Sequence, residues 1–188
     1  MLKTGLALAL LALGGACTTA PSNVLGVNYH FASTSSEVKT LGATADTDIT
    51  ALEATYEFLP ILQNANIAVS YLRREDEQTN LPGNPTVESD IVRAQLRFYF
   101  QLLERVIWYV GPGIGYAFAV DPSPQIPGVE YDGSLYYDAE IGVKWYLLDR
   151  LGLSGLLNYS FIDVKGDGAT PDSDLEGITF GAGVFIDF

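Results

Sequence analysis

Seven charged residues stand at spacings that could bring them together: Glu53 and Glu57, Arg93 and Arg97, and Asp138, Glu140 and Lys144. Within each group the steps are two or four residues. On a β-strand such steps keep side chains on one face. If the three segments are strands around one interior, four carboxylates meet three cations. An unpaired charge in a narrow, poorly hydrated space is costly, so opposite signs should pair there. The chemistry open to this set is ion pairing, as a structural plug of salt bridges and hydrogen bonds. A sharper use of the same residues is an ion gate, in which partners exchange to open a small pore.

Other chemistry is thinly represented. His30 is the only histidine, and Ser33, Ser35 and Ser36 follow it. A Ser/His pair with a carboxylate can hydrolyse an ester, but a triad is defined by geometry and serines are common in loops. No catalytic residue is assigned, and His30 is expected as a hydrogen-bonded lumen or loop side chain. Asp163, Asp167, Gly168 and Asp174 faintly echo a calcium-loop spacing, yet Lys165 stands where an oxygen ligand belongs. There is no CxxC pair, no glycine-rich phosphate loop ahead of a helix and no histidine-based ligand spacing. No metal and no cofactor are therefore expected. The formal net charge of -13 disfavours nucleic acid, which requires clustered Lys and Arg.

The first residues stand apart from the fold. Lys3 followed by the apolar run from Gly5 to Ala16 reads as a secretory signal, too short to span a bilayer as a helix. The segment 1–20 is expected to be the signal region, with cleavage after Ala16 or nearby. Pro21 makes cleavage after Ala20 unattractive. Leu13-Gly14-Gly15-Ala16-Cys17 loosely matches a lipoprotein box, with Gly14 where such a box usually carries Leu. Cys17 is thus a candidate lipidation site. As the only cysteine it can form no internal disulfide.

The elements that must position the charges are strands. From residue 21 to 188 the chain reads as one domain of eight segments with a period of two: 24–33, 48–59, 66–73, 87–101, 106–120, 134–147, 151–163 and 175–188. About ten residues suffice for a tilted strand to cross a bilayer. The breaks alternate in length. Short ones fall at 60–65, 102–105 and 148–150, and long polar ones at 34–47, 74–86, 121–133 and 164–174. Most of the acids lie in or beside the long breaks, Glu75, Asp76 and Glu77 among them, with only Lys39, Arg73, Arg74 and Lys165 of the bases. A solvated, mutually repelling surface is expected there. The last strand runs to the final residue, which is expected of a barrel whose ends must pair.

Each strand has two unlike faces. One parity is large and apolar, as in Leu25, Val27, Tyr29 and Phe31, or Leu135, Tyr137, Ala139, Ile141, Val143 and Trp145. The other carries Asn28, His30, the seven charges, and many small residues: Gly111, Gly113, Gly115, Gly181 and Gly183. Small residues suit the crowded interior of an eight-stranded barrel, whereas that much apolar bulk would overfill it. Aromatics gather near strand ends, as in the girdles of membrane barrels. The apolar parity is therefore expected to face lipid and the polar parity the lumen. Gly111-Pro112-Gly113 is expected to make a bulge or bend in the fifth strand.

The stretch Tyr109-Val110-Gly111-Pro112-Gly113-Ile114-Gly115-Tyr116 resembles the glycine-interleaved central strand of the OmpA/OmpX/OmpW-like outer-membrane barrels. Phe188 matches their terminal residue, the C-terminal assembly signal. The resemblance covers the whole chain after the signal, as a pattern of strands and loops. It implies an all-β, eight-stranded antiparallel up-and-down transmembrane barrel in the cell outer membrane. It also implies outer-membrane lipid, lipopolysaccharide and the barrel-assembly machinery as partners. No motif resembles those of the lipid A deacylase or palmitoyltransferase families. A non-enzymatic, structural or surface-interacting monomer with a charge-paired, filled lumen is expected. The alternative is a narrow channel for small or apolar solutes, which at Gly111-Pro112-Gly113 could leave through the wall, as proposed for OmpW-like proteins.

Overall fold

The computed structural model describes residues 19–21, 23–38, 43–79, 84, 86–123, 133–164 and 173–188. The cleavage site after Ala16 and the Cys17 side chain lie outside them, as do Lys165, Asp167 and Gly168. Alternation of apolar and polar residues produces eight strands: β1 (Val24–Val38), β2 (Ala43–Leu62), β3 (Ala65–Gln78), β4 (Thr86–Leu103), β5 (Val106–Ser123), β6 (Ser134–Tyr146), β7 (Leu151–Val164) and β8 (Ser173–Asp187). Each pairs antiparallel with the next, and β8 pairs with β1, closing an up-and-down barrel. The closing register runs from Val24 opposite Asp187 to Phe31 opposite Phe180. The backbone N–H of Phe188 then donates to the carbonyl of Asn23 at 3.2 Å, so the terminal residue finishes the seam. Closure leaves no unpaired edge.

The strands are longer than the sequence suggests. Most of 34–47 and part of 74–86 are paired backbone rather than loop: β1 reaches Val38, β2 starts at Ala43, and β3 reaches Gln78. A polar, Gly- and Ser-containing segment still needs partners for its backbone groups, and a neighbouring strand supplies them. Cross-strand pairs add to this. Arg73 Nη2 donates to Glu88 Oε2 at 2.7 Å, and the Tyr71 hydroxyl donates to Asp90 Oδ1 at 2.7 Å.

Pro112 does not make the expected bulge. The β4–β5 register is the same on both sides of it, Gln95 opposite Gly113 and Phe98 opposite Val110. Around it, bridge partners are missing for Leu96 and Arg97, opposite Pro112 and Gly111. Proline lacks the N–H that would bond β4, while its pairing with Ala139 on β6 persists. The register shifts lie toward the two ends of the pair, between Asp90 and Ile91 and between Gln101 and Leu103.

The two parities face opposite ways, as the residue sizes require. Ile141 is 36% and Val184 52% exposed, while Arg97 is 2% and Glu140 0% exposed. Phe31 and Phe180 meet near the loop end at 6.4 Å, and Phe100 stacks on Trp108 near the short-turn end at 4.5 Å. These pairs belong to two aromatic girdles around an aliphatic belt.

The interior is layered. Toward the loops, Leu72, Ile91, Ala117, Val120, Tyr136 and Ile162 pack together. Toward the short turns, Ala20, Tyr99, Ile107 and Tyr109 form a second apolar layer, with Tyr146 against it. The seven charged residues singled out in the sequence lie between.

Candidate functional site

The seven charged residues singled out in the sequence are all buried and touch one another across the barrel. Glu53 on β2 accepts from Arg93 Nη2 at 2.5 Å, from Thr55 Oγ1 at 2.7 Å and from Asn28 Nδ2 at 3.1 Å. His30 Nε2 lies 2.8 Å from Oε2, the oxygen that Asn28 also reaches. Arg93 also pairs with Asp138 through Nη1 and with Glu140 at 2.8 Å. Gln95 and Asn158 donate to Asp138 at 2.6 and 2.7 Å. Nearer the short turns, Glu57 accepts from Arg97, from Lys144 Nζ at 2.6 Å and from the Tyr99 hydroxyl at 2.6 Å. Glu140 joins the two halves. It accepts from Arg93, from Arg97 at 2.9 Å and from the Tyr109 hydroxyl at 2.7 Å.

The elements explain why these partners meet. Arg93 and Arg97 sit four apart on β4, so both point inward one above the other. Asp138, Glu140 and Lys144 do the same on β6. Between them β5 presents glycine. A Cβ on Gly115 would stand 2.8 Å from Arg93 Cβ, and one on Gly113 would stand 2.7 Å from Gln95 Cγ. Such distances are incompatible with a side chain, so β5 yields its share of the interior to the long side chains of β4 and β6.

Several partners were not singled out in the sequence. Tyr99 and Tyr109 lie on the inward parity and their hydroxyls satisfy carboxylates, while Arg97 lies 4.6 Å from the Tyr109 ring centroid. Arg74 and Asp76, grouped with the solvated acidic stretch, are a correction. Both are buried, paired at 2.8 Å, and Arg74 also donates to Ser160 Oγ at 2.9 Å. The extension of β3 to Gln78 turns them inward by parity. Among the described residues, the buried charges are five carboxylates and four Lys or Arg side chains, with His30 beside Glu53. No group of His, Cys, Asp or Glu placed to hold a metal occurs among them.

Chemically, this arrangement pairs charge and rigidifies. Every carboxylate of the seven has at least two donors, and each cation has a carboxylate within bonding distance. Breaking one pair leaves its partner uncompensated in a low-dielectric interior.

A closed eight-stranded up-and-down barrel with an apolar outer belt and an ion-paired interior is the architecture of an outer-membrane barrel. Among solved structures, the chain is similar to Neisserial surface protein A, at 18% identity over 88% of this chain and 96% of that one, with a TM-score of 0.61. It is also similar to outer membrane protein W of E. coli, at 16% identity over 90% and 99% of the two chains, with a TM-score of 0.54. For the outer membrane protein AlkL the figures are 15% identity, 93% of each chain and a TM-score of 0.51. These likenesses concern the fold. No protein-family model and no curated protein matches the sequence.

Proposed function

We propose that this chain is an integral outer-membrane protein that acts without catalysis, as a structural or surface-interacting barrel with a closed, charge-paired lumen. The observation that carries this reading is the inversion of faces. Large apolar side chains such as Leu52, Ile114, Val184 and Phe180 are exposed around the whole wall, and charged ones are buried within. Only lipid matches a continuous apolar belt of that kind. Orientation follows from the connections: the short turns and both strand termini face the periplasm, and the long hairpins face outward. Outer-membrane lipid and lipopolysaccharide surround the belt, the barrel-assembly machinery inserts the chain, and the barrel works as a monomer. Carbonate extraction of membranes, with gel mobility before and after heating, tests the integral state. Release into carbonate without separate folded and unfolded bands would overturn it. In planar bilayers the closed lumen should give no steady single-channel current. Unchanged lipid A masses in cells with and without the protein would accord with the absence of catalysis.

A narrow route for small or apolar solutes is the second reading, and one observation favours it. Beside Pro112, where the β4–β5 ladder lacks bridges, an apolar groove of about 450 Å³ is lined by Ile61, Ile67, Leu96 and Ile114, with the inward-facing Gln95 at its base. Pro112→Val would restore the missing N–H. It should then slow uptake of an apolar solute into proteoliposomes, and equal uptake by both forms removes this reading.

A further inference from the structure

The chain ahead of β1 enters the barrel. Ala20 is only 5% exposed and packs with Tyr99, Ile107 and Tyr109 in the apolar layer at the short-turn end. Its N–H donates to the carbonyl of Gln63 in the β2–β3 turn at 2.8 Å. The carbonyl of Pro21 accepts from Asn66 Nδ2 at 2.8 Å. Asn66 is fully buried and donates to Glu57 at 3.3 Å, so this segment is wired to the ion-paired lumen. Thr19, by contrast, is exposed at the rim, beside a polar recess of about 370 Å³ that Gln101, Glu104 and Asp187 line.

We infer that Thr19–Pro21 is a plug retained in the mature protein, and that export processing cuts the Ala16–Cys17 bond rather than the bond after Ala20. Cutting after Ala20 would strip the donor from Gln63 and uncover the Tyr99 and Tyr109 rings. It would also require hydrolysis ahead of a proline. Cutting after Ala16 leaves small residues at the two positions that an export peptidase reads, Gly14 and Ala16. Water adds across that amide, leaving a carboxylate on Ala16 and an amine on Cys17. Thr19–Pro21 then stays seated against the tyrosine layer at the periplasmic mouth. The inference requires export of the chain but is independent of whether the lumen conducts.

Intact-mass and N-terminal analysis of the protein extracted from outer membranes should give Cys17 as the first residue. The same start carrying acyl groups on Cys17 supports the inference equally, since the bond cut is the same. A chain beginning at Pro21 or later overturns it. Hydrogen exchange on the extracted barrel tests the plug itself. The Ala20 amide should exchange at least about 100-fold more slowly than in an unstructured peptide, because it opens only when the segment unseats. Exchange at the free-peptide rate overturns the plug even if Cys17 is the first residue. Ala20→Asp, which puts a carboxylate against the tyrosine layer, should abolish that protection while the heat-modifiable folded band remains. Protection kept in this variant counts against seating through the Ala20 side chain.

Discussion

At Glu140, donors from β4, β5 and β7 converge on one carboxylate: Arg93, Arg97, Tyr109 and, at 3.4 Å, Asn158. Removing it leaves the two guanidiniums short of one counter-charge in a place that water does not easily reach. Loss of one partner from a buried pair typically costs about 3–5 kcal/mol, because the remaining charge stays desolvated. Glu140→Ala should therefore lower the urea midpoint of the refolded barrel in lipid by that amount of stability. Arg73 offers the contrast. Its pair with Glu88 has the same length as a lumen contact, but its side chain is 65% exposed. Exposed pairs contribute about 0–1 kcal/mol, so Arg73→Ala should scarcely move the midpoint. Equal shifts in the two variants would mean that the lumen network is hydrated and does not stabilise the barrel.

Strands are the level at which the sequence is most legible. A period of two places Glu53, Arg93 and Glu140 on one face whichever residue each pairs with, and the bulk of the opposite face decides which side meets lipid. The strand ends are less legible, because a polar hairpin such as β1–β2 has no apolar face to mark its length. The two apolar layers of the lumen were also hidden. Leu72, Ile91, Ile107 and Ile162 sit on the inward parity, where they read as breaks in a polar pattern. Partner choice depends on how far the strands are staggered around the barrel, which is why Arg93 meeting Asp138 across β5 could be foreseen only as a class of contact. Glycine on the inward parity was a better guide. On β6, Gly142 lies opposite Tyr109 in the register, and a Cβ there would run into the tyrosine ring. Gly142→Leu should push Tyr109 off Glu140 and cost about 1–3 kcal/mol through overpacking, read as a lower urea midpoint. Gly155 points to lipid with nothing near its missing side chain, so Gly155→Ala should hold the midpoint within about 0.5 kcal/mol. A tolerated Gly142→Leu would show that the interior has slack that the close contacts deny.

For the whole molecule, closure and assembly are separable demands, and Phe188 distinguishes them. Phe188 is 62% exposed, and its backbone N–H donates to the carbonyl of Asn23. The seam itself is made by eight register pairs between β1 and β8. A net backbone hydrogen bond contributes about 0.5–1.5 kcal/mol, a small part of what holds such a barrel. Deleting Phe188 should thus leave refolding from urea into detergent nearly intact, with the heat-modifiable band present at the wild-type level. If the exposed terminal ring is instead read by the assembly machinery, the same deletion should strongly reduce the amount of folded protein recovered from outer membranes of intact cells. Loss in both settings would assign Phe188 to the stability of the seam. Loss in neither would remove it as an assembly signal, and recognition would then have to rest on the alternating face of β8 from Ile178 to Ile186.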